Sequence, residues 1–104
     1  HKMVFIVPEY NGSFPGVLKT FIDALDYPHS LKNKKCALLS LSSGSQGGAL
    51  ALSHLTDILH YCGMNVLAQK PKLAKIEANF KEGQFTNELY VTLLKEQIEA
   101  FLPF

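Results

Sequence analysis

The chain has 104 residues, 47% hydrophobic and 18% charged, with ten basic and nine acidic side chains and a net charge of +1. That length holds one domain, and the composition excludes a disordered or fibrous chain. No basic face interleaved with aromatics points to nucleic acid, and no apolar run reaches the length of a membrane span.

Taken in chain order, Met3–Val7 is a continuous apolar run, the pattern of a strand buried on both faces of a parallel sheet. It runs into the polar turn PEYNGS, Pro8 to Ser13. Residues 15–26 follow with Val17, Leu18, Phe21, Ile22 and Leu25 on one helical face. Ser13 is positioned as the N-cap and Pro15 suits the first turn. Tyr27-Pro28 ends that helix. Lys32-Asn33-Lys34-Lys35 reads as a solvated lead-in to a second strand, Cys36–Leu41, which runs into a second small-residue loop, SSGSQGG, Ser42 to Gly48. From Ala49 a helix carries Leu52, Leu55, Thr56, Leu59 and Cys62, and Gly63 stops it. A third strand lies over Asn65–Ala68. Pro71–Phe85 is less regular, and Lys70, Lys72, Lys75, Lys81 and the Glu82-Gly83 pair read as surface. Thr86 is placed to cap a last helix bearing Tyr90, Leu93, Leu94, Ile98, Phe101 and Leu102, with Glu88 favourable in its first turn.

Alternating strands and helices predict an α/β architecture, a parallel sheet with helices on both faces. Ligands of such sheets bind beyond the carboxyl ends of the strands. Both polar loops directly follow strands, so they fall side by side on that edge. Both also lead into helix N-termini, whose free N–H groups attract an anion or an electron-rich edge. Neither matches GxGxxG or GxxxxGK[ST]. Backbone donors without a lysine suit a planar heterocycle better than a triphosphate, with Tyr10 adding an aromatic surface and Asn11 a donor and an acceptor.

The sequence lacks the constellation of a serine hydrolase. Ser43-Gly44-Ser45-Gln46-Gly47 sits where a nucleophile elbow would, but lacks its first glycine. No Asp or His follows Cys62. His60 is about 13 residues along the helix from Gly47, roughly 20 Å away, and His54 and His60, six apart, do not share a helical face. They read as surface or interface residues. Glu9 is expected to hydrogen-bond locally or to face a neighbouring subunit. Cys36 and Cys62, without CxxC spacing, read as small buried hydrophobes of a reduced, cytoplasmic protein. No metal-ligand spacing is present.

The stretch PEYNGSFPGVLKTFID, Pro8 to Asp23, closely resembles the signature of the NADPH-dependent FMN reductase family, flavodoxin-like flavoproteins that include quinone, azo-dye and chromate reductases. The resemblance runs from about Met3 to the C-terminus. It implies a three-layer α/β/α fold and non-covalently bound FMN. Pro8, Glu9, Tyr10, Asn11, Gly12 and Ser13 would line the isoalloxazine ring, and Ser43, Gly44, Ser45, Gln46, Gly47 and Gly48 would border it. Hydride would pass from NADPH or NADH through FMN to a quinone-, flavin- or azo-type acceptor, with no catalytic side chain required.

The family's first strand, phosphate loop and following βα elements have no counterpart in the chain. The expectation is one partial domain over residues 1–104, a C-terminal portion with about three strands (family strands 3-4-5) and three helices. Its apolar strand edge would be open unless covered by a second copy, a missing half or swapped strands. A homo-oligomer, dimer or tetramer, and weak FMN binding by this chain alone are expected. The alternative is a non-catalytic flavodoxin-like module for binding or assembly.

Overall fold

The computed structural model describes residues 2–104. The Val-, Phe- and Ile-rich run at the front forms β1 (Lys2–Pro8), and CALLSL lies within β2 (Lys35–Leu41). The two pair in parallel over their whole lengths, Lys2 opposite Lys35 and Pro8 opposite Leu41. Between them runs α1 (Gly16–Ala24), and after β2 comes α2 (Ala49–Tyr61). One face of the sheet, with Met3, Phe5, Val7, Cys36 and Leu38, packs against Ile22 of α1 and Ala51, Leu52, Leu55 and Leu59 of α2. Phe14, Leu31 and Met64 complete this core.

β1 corrects the reading of a strand buried on both faces. It lies at the sheet edge with β2 as its one partner, and its exposure alternates, leaving Val4 53% and Ile6 65% exposed. A strand is covered on both faces only where helices lie on both sides of it. That situation belongs to β2, where Cys36, Ala37 and Leu38 are essentially inaccessible. Val17 and Phe21, on the expected apolar face of α1, likewise stay exposed; the stripe is wider than the surface it meets.

The third strand is interrupted. β3 (Asn65–Val66) pairs with the start of β2 and β4 (Lys72–Leu73) with its end, both parallel. Leu67 N–H donates to Cys36 O at 2.9 Å and Ser40 N–H to Pro71 O at 3.0 Å, so alternate residues of β2 turn their backbone groups toward this lane. Leu38, midway between, shares that direction by the two-residue period. Its carbonyl accepts instead from the Gln97 side chain at 2.8 Å, and the same Nε2 donates to Gln69 O at 3.1 Å. Pro71, which has no N–H, helps break the lane, and one glutamine amide from the last helix fills the gap.

Pro71–Phe85 is more ordered than expected. It holds β4 with buried Leu73, a short α3 (Ile76–Asn79), and a hairpin of β5 (Phe80–Lys81) and β6 (Gln84–Phe85). The hairpin turns at Glu82 and Gly83, both with positive φ, and packs Phe80 edge-to-face on Phe85 with ring centres 4.9 Å apart. The last helix, α4 (Glu88–Phe101), is capped by Asn87, whose side chain accepts from Leu89 N–H at 3.0 Å, and not by Thr86. The Thr86 hydroxyl is turned to Ala78 O at 3.2 Å. Among the described residues there are thus four helices and a split third strand where three helices and three strands were expected. Among the described residues no helix is long and apolar enough to cross a membrane.

Candidate functional site

Beyond β1, Glu9 N–H donates to Leu41 O at 3.0 Å, which joins the first loop to the end of β2. Tyr10 and Ser13 then exchange both backbone hydrogen bonds, 2.8 and 3.1 Å, around Asn11 (φ 51°) and Gly12 (φ 81°). Two central residues with positive φ make a type I′ turn, the conformation that Asn-Gly favours. Gly12 N–H donates to Glu9 Oε2 at 2.5 Å, so the Glu9 carboxylate is engaged inside its own turn. The Ser13 hydroxyl pairs with His54 Nδ1 of α2 at 2.8 Å. Ser13 is therefore not the cap of α1. Phe14 and Pro15 are buried, and Pro15, extended at φ −60° and ψ 138°, is the capping residue, with no side-chain bond to the helix.

The second loop is held by the segment after β4. Ser42 is buried, its N–H donating to Leu73 O at 3.1 Å and its hydroxyl to Gly44 O at 3.1 Å. Ile76 N–H donates to Ser42 O at 3.0 Å and Lys75 N–H to Gly44 O at 2.9 Å. Ser43 turns outward and donates to Glu77 Oε2 at 2.6 Å, which holds that carboxyl below its ordinary value, aided by a backbone hydrogen bond.

Gly47 and Gly48 take left-handed conformations, φ 65° and 85°. A Cβ on Gly47 would sit 2.8 Å from the Lys72 backbone, and one on Gly48 would sit 2.7 Å from Ser40 Cβ. These glycines let the loop fold down onto β2 and β4, where Ser40 Oγ donates to Gly47 O. At Gly47 the close approach is to the chain itself, not to a ligand.

A cavity of about 240 Å³ opens between the loops, at the carboxyl edge of the sheet. Glu9 and Gly12 line it from the first loop, Ser42, Gly44, Ser45, Gln46 and Gly48 from the second, and Ala49 and Leu50 from α2. No side chain caps α2. Ala49 N–H turns back to Gln46 O (3.3 Å) and Leu52 N–H to Gly48 O (3.0 Å). The amides of Leu50 and Ala51 between them are left as donors at the positive end of the helix. The arrangement offers backbone donors, the Ser45 and Gln46 side chains and an apolar floor, and no cationic side chain.

Of the twelve residues expected at the site, Glu9, Gly12, Gly44, Ser45, Gln46 and Gly48 meet on this cavity. Pro8 ends β1 behind it, and Tyr10 and Asn11 stand exposed on the rim of the turn. Ser13, Ser43 and Gly47 are directed to His54, Glu77 and β4 respectively. Sequence reasoning missed Ser42, Ala49 and Leu50, although the first turn of any helix beginning at the loop would flank the same space. His54, expected at the surface or an interface, is indeed exposed, and nothing in the sequence signalled its contact with Ser13. The Asn-Gly pair carried a turn signal that went unused.

Residues 1–77 match the family described as NADPH-dependent FMN reductase. A 2-hydroxy-1,4-benzoquinone reductase from Burkholderia sp is 34% identical over 86 residues, covering 74% of this chain and 46% of that protein. An NAD(P)H-dependent FMN reductase from Pseudomonas aeruginosa is 31% identical over 103 residues, covering 94% of this chain and 55% of its own length. The solved flavoenzyme NAD(P)H:(acceptor) oxidoreductase FerB from Paracoccus denitrificans superposes with a TM-score of 0.77 at 31% identity, over 96% of this chain and 58% of that one. The chain spans about half the length of the curated relatives it matches. A match over residues 1–77 of 104, together with a flavoenzyme fold that follows nearly the whole chain, leaves one assignment: this is a flavodoxin-like chain of the NADPH-dependent FMN reductase family.

Proposed function

We propose that the cavity between the two loops receives one edge of the FMN isoalloxazine ring, in a protein that oxidises NADPH or NADH. The observation that carries this reading is the convergence of two strand-to-helix turns on one space at the carboxyl edge of a parallel sheet, beside an uncapped helix N-terminus. FMN held there would supply the redox chemistry that couples NAD(P)H to a quinone-, flavin- or azo-type acceptor. The chain binds and orients the ring. The Leu50 amide and the Ser45 and Gln46 side chains offer hydrogen bonds to polar ring atoms, while Ala49 and Leu50 supply apolar contact. Tyr10 and Asn11, on the rim, flank the approach of the second substrate. The names of the relatives support NAD(P)H as the donor and a quinone or FMN among the acceptors.

Among the residues lining the cavity none is Lys or Arg, so no cationic side chain there pairs with the dianionic phosphate of FMN, whose charge-assisted hydrogen bonds are the strong ones. Binding by these residues is accordingly weak. The open edge of β1, with Val4 and Ile6 exposed, is covered in our reading by assembly into a dimer or tetramer in the cytoplasm. Sedimentation of a monomer that binds no hydrophobic dye would refute the assembly. For the activity, FMN is titrated into the purified protein while flavin absorbance and fluorescence are followed, and NADPH oxidation is then measured with a quinone at saturating FMN. Saturable binding with turnover is the expected result. A protein that stays colourless and inert at saturating FMN is a binding or assembly module instead.

A further inference from the structure

We infer that His54 is a positioning residue for the first loop: through Nδ1 it clasps the Ser13 hydroxyl and fixes the Tyr10–Ser13 turn against α2, which sets the separation of the two cavity walls. His54 lies five residues along α2 from Ala49, roughly 7.5 Å up the helix, and it does not line the cavity. Its ring nitrogen is 2.8 Å from Ser13 Oγ. Ser13 closes the type I′ turn through reciprocal backbone bonds to Tyr10. Gly12, inside that turn, lines the cavity and is tied to Glu9, which lines it too. The opposite wall, Gly48 to Leu50, is the start of the helix that carries His54. The contact therefore bridges the two walls from behind. The first loop is joined to β2 by a backbone bond at Glu9, and beyond its far end Phe14 is buried in the core with α2, but among the described residues the turn itself has no other side-chain hydrogen bond to α2. A two-residue turn at a sheet edge has few internal bonds, so one side-chain clasp is a large share of what restrains it.

The consequence for FMN rests on the reading proposed above; the clasp does not. The test uses ¹⁵N-labelled protein and amide hydrogen exchange, with four variants. His54→Phe keeps a ring without the nitrogen, and Ser13→Ala removes the contact from the other side. His54→Asn returns a polar atom to the Nδ1 position, and His54→Gln places one at the Nε2 position instead. Exchange at Tyr10 and Ser13 should accelerate about three- to tenfold in His54→Phe and in Ser13→Ala, the range expected for loss of one side-chain hydrogen bond, here an exposed one. The double variant should be no faster than either single one. His54→Asn should restore protection and His54→Gln should not, a pattern that general loss of packing would not give.

Unchanged exchange in both single variants, or equal rescue by Asn and Gln, overturns the inference. FMN titration of the same proteins supplies a separate arm. If wild-type protein binds FMN, a Kd raised about three- to tenfold in His54→Phe, with a displaced flavin absorption band restored by His54→Asn, is expected; an unaltered Kd and spectrum refute the wall-setting role. If wild-type protein binds no FMN, the reading of the cavity fails, and the exchange pattern alone decides the clasp.

Discussion

Replacing Gln97 with Met should destabilise the fold by about 2 kcal/mol, because one amide group serves two backbone carbonyls at the break in the third strand. Gln97 is 4% exposed, and its Nε2 donates to Leu38 O at 2.8 Å and Gln69 O at 3.1 Å. Methionine keeps the length and nearly the volume of the side chain but has no donor. Leu38 is wholly buried, so its carbonyl loses its lane-three partner without access to water, a penalty of about 1–3 kcal/mol. Gln69 is exposed and can turn to solvent, so that loss is a few tenths of a kcal/mol. For a domain of this size, about 2 kcal/mol corresponds to a fall in Tm of roughly 8–16 °C. Urea denaturation and thermal melts followed by circular dichroism measure it. A Gln97→Met protein melting within about 2 °C of wild type would refute the idea that this amide replaces a ladder bond. Gln97→Glu adds a signed check. Two carbonyls and burial favour the protonated carboxyl, which raises its folded-state pKa. That variant should gain stability as pH falls and lose it as pH rises through that pKa.

Three further outcomes follow from the geometry. Gly48→Ala should cost about 2–4 kcal/mol, since φ of 85° and a Cβ 2.7 Å from Ser40 combine strain with overlap. Gly12→Ala, with a similar φ and open space around it, should cost only about 1–2 kcal/mol; equal losses in urea melts would disprove the close approach. Burial pushes the Cys36 thiol up to about 11 from the ordinary 9.0, Lys70 opposing. The folded protein therefore holds its proton while the unfolded chain ionises, so stability should be complete below pH 9 and decline between pH 9 and 11. Cys36→Ser should flatten that decline; an unchanged alkaline limb refutes the assignment. Ser43→Ala should raise the Glu77 carboxyl toward its ordinary value, because the Ser43 hydroxyl is the main cause of its depression. The small contribution of that contact is present at neutral pH and lost as pH falls through the folded-state value. Carboxyl carbon shifts followed by NMR titration check it, and an unmoved Glu77 titration rules out the contact.

Local patterns in the chain were enough to specify β1, β2, α1 and α2, because each is encoded by its own spacing: an apolar run, a 3.6-residue stripe, a glycine stop. They also placed two polar loops on one sheet edge, since strand direction in a parallel sheet follows from alternation alone. Within the loops, six of twelve candidate residues reached the cavity. What local pattern could not decide were the contacts between segments distant in sequence. Whether Ser13 caps its own helix or reaches His54, 41 positions away, depends on where α2 comes to lie. Whether Gly47 faces a ligand or Lys72 depends on β4, a two-residue strand too short to carry a period. The split third strand is legible only once Gln97, 59 residues from Leu38, is seen to stand in for a missing backbone donor. Hydrophobic periodicity determined the layers of this protein. The directions of its polar side chains were decided by tertiary structure, because each hydrogen bond needs a partner that the fold alone brings within 3 Å.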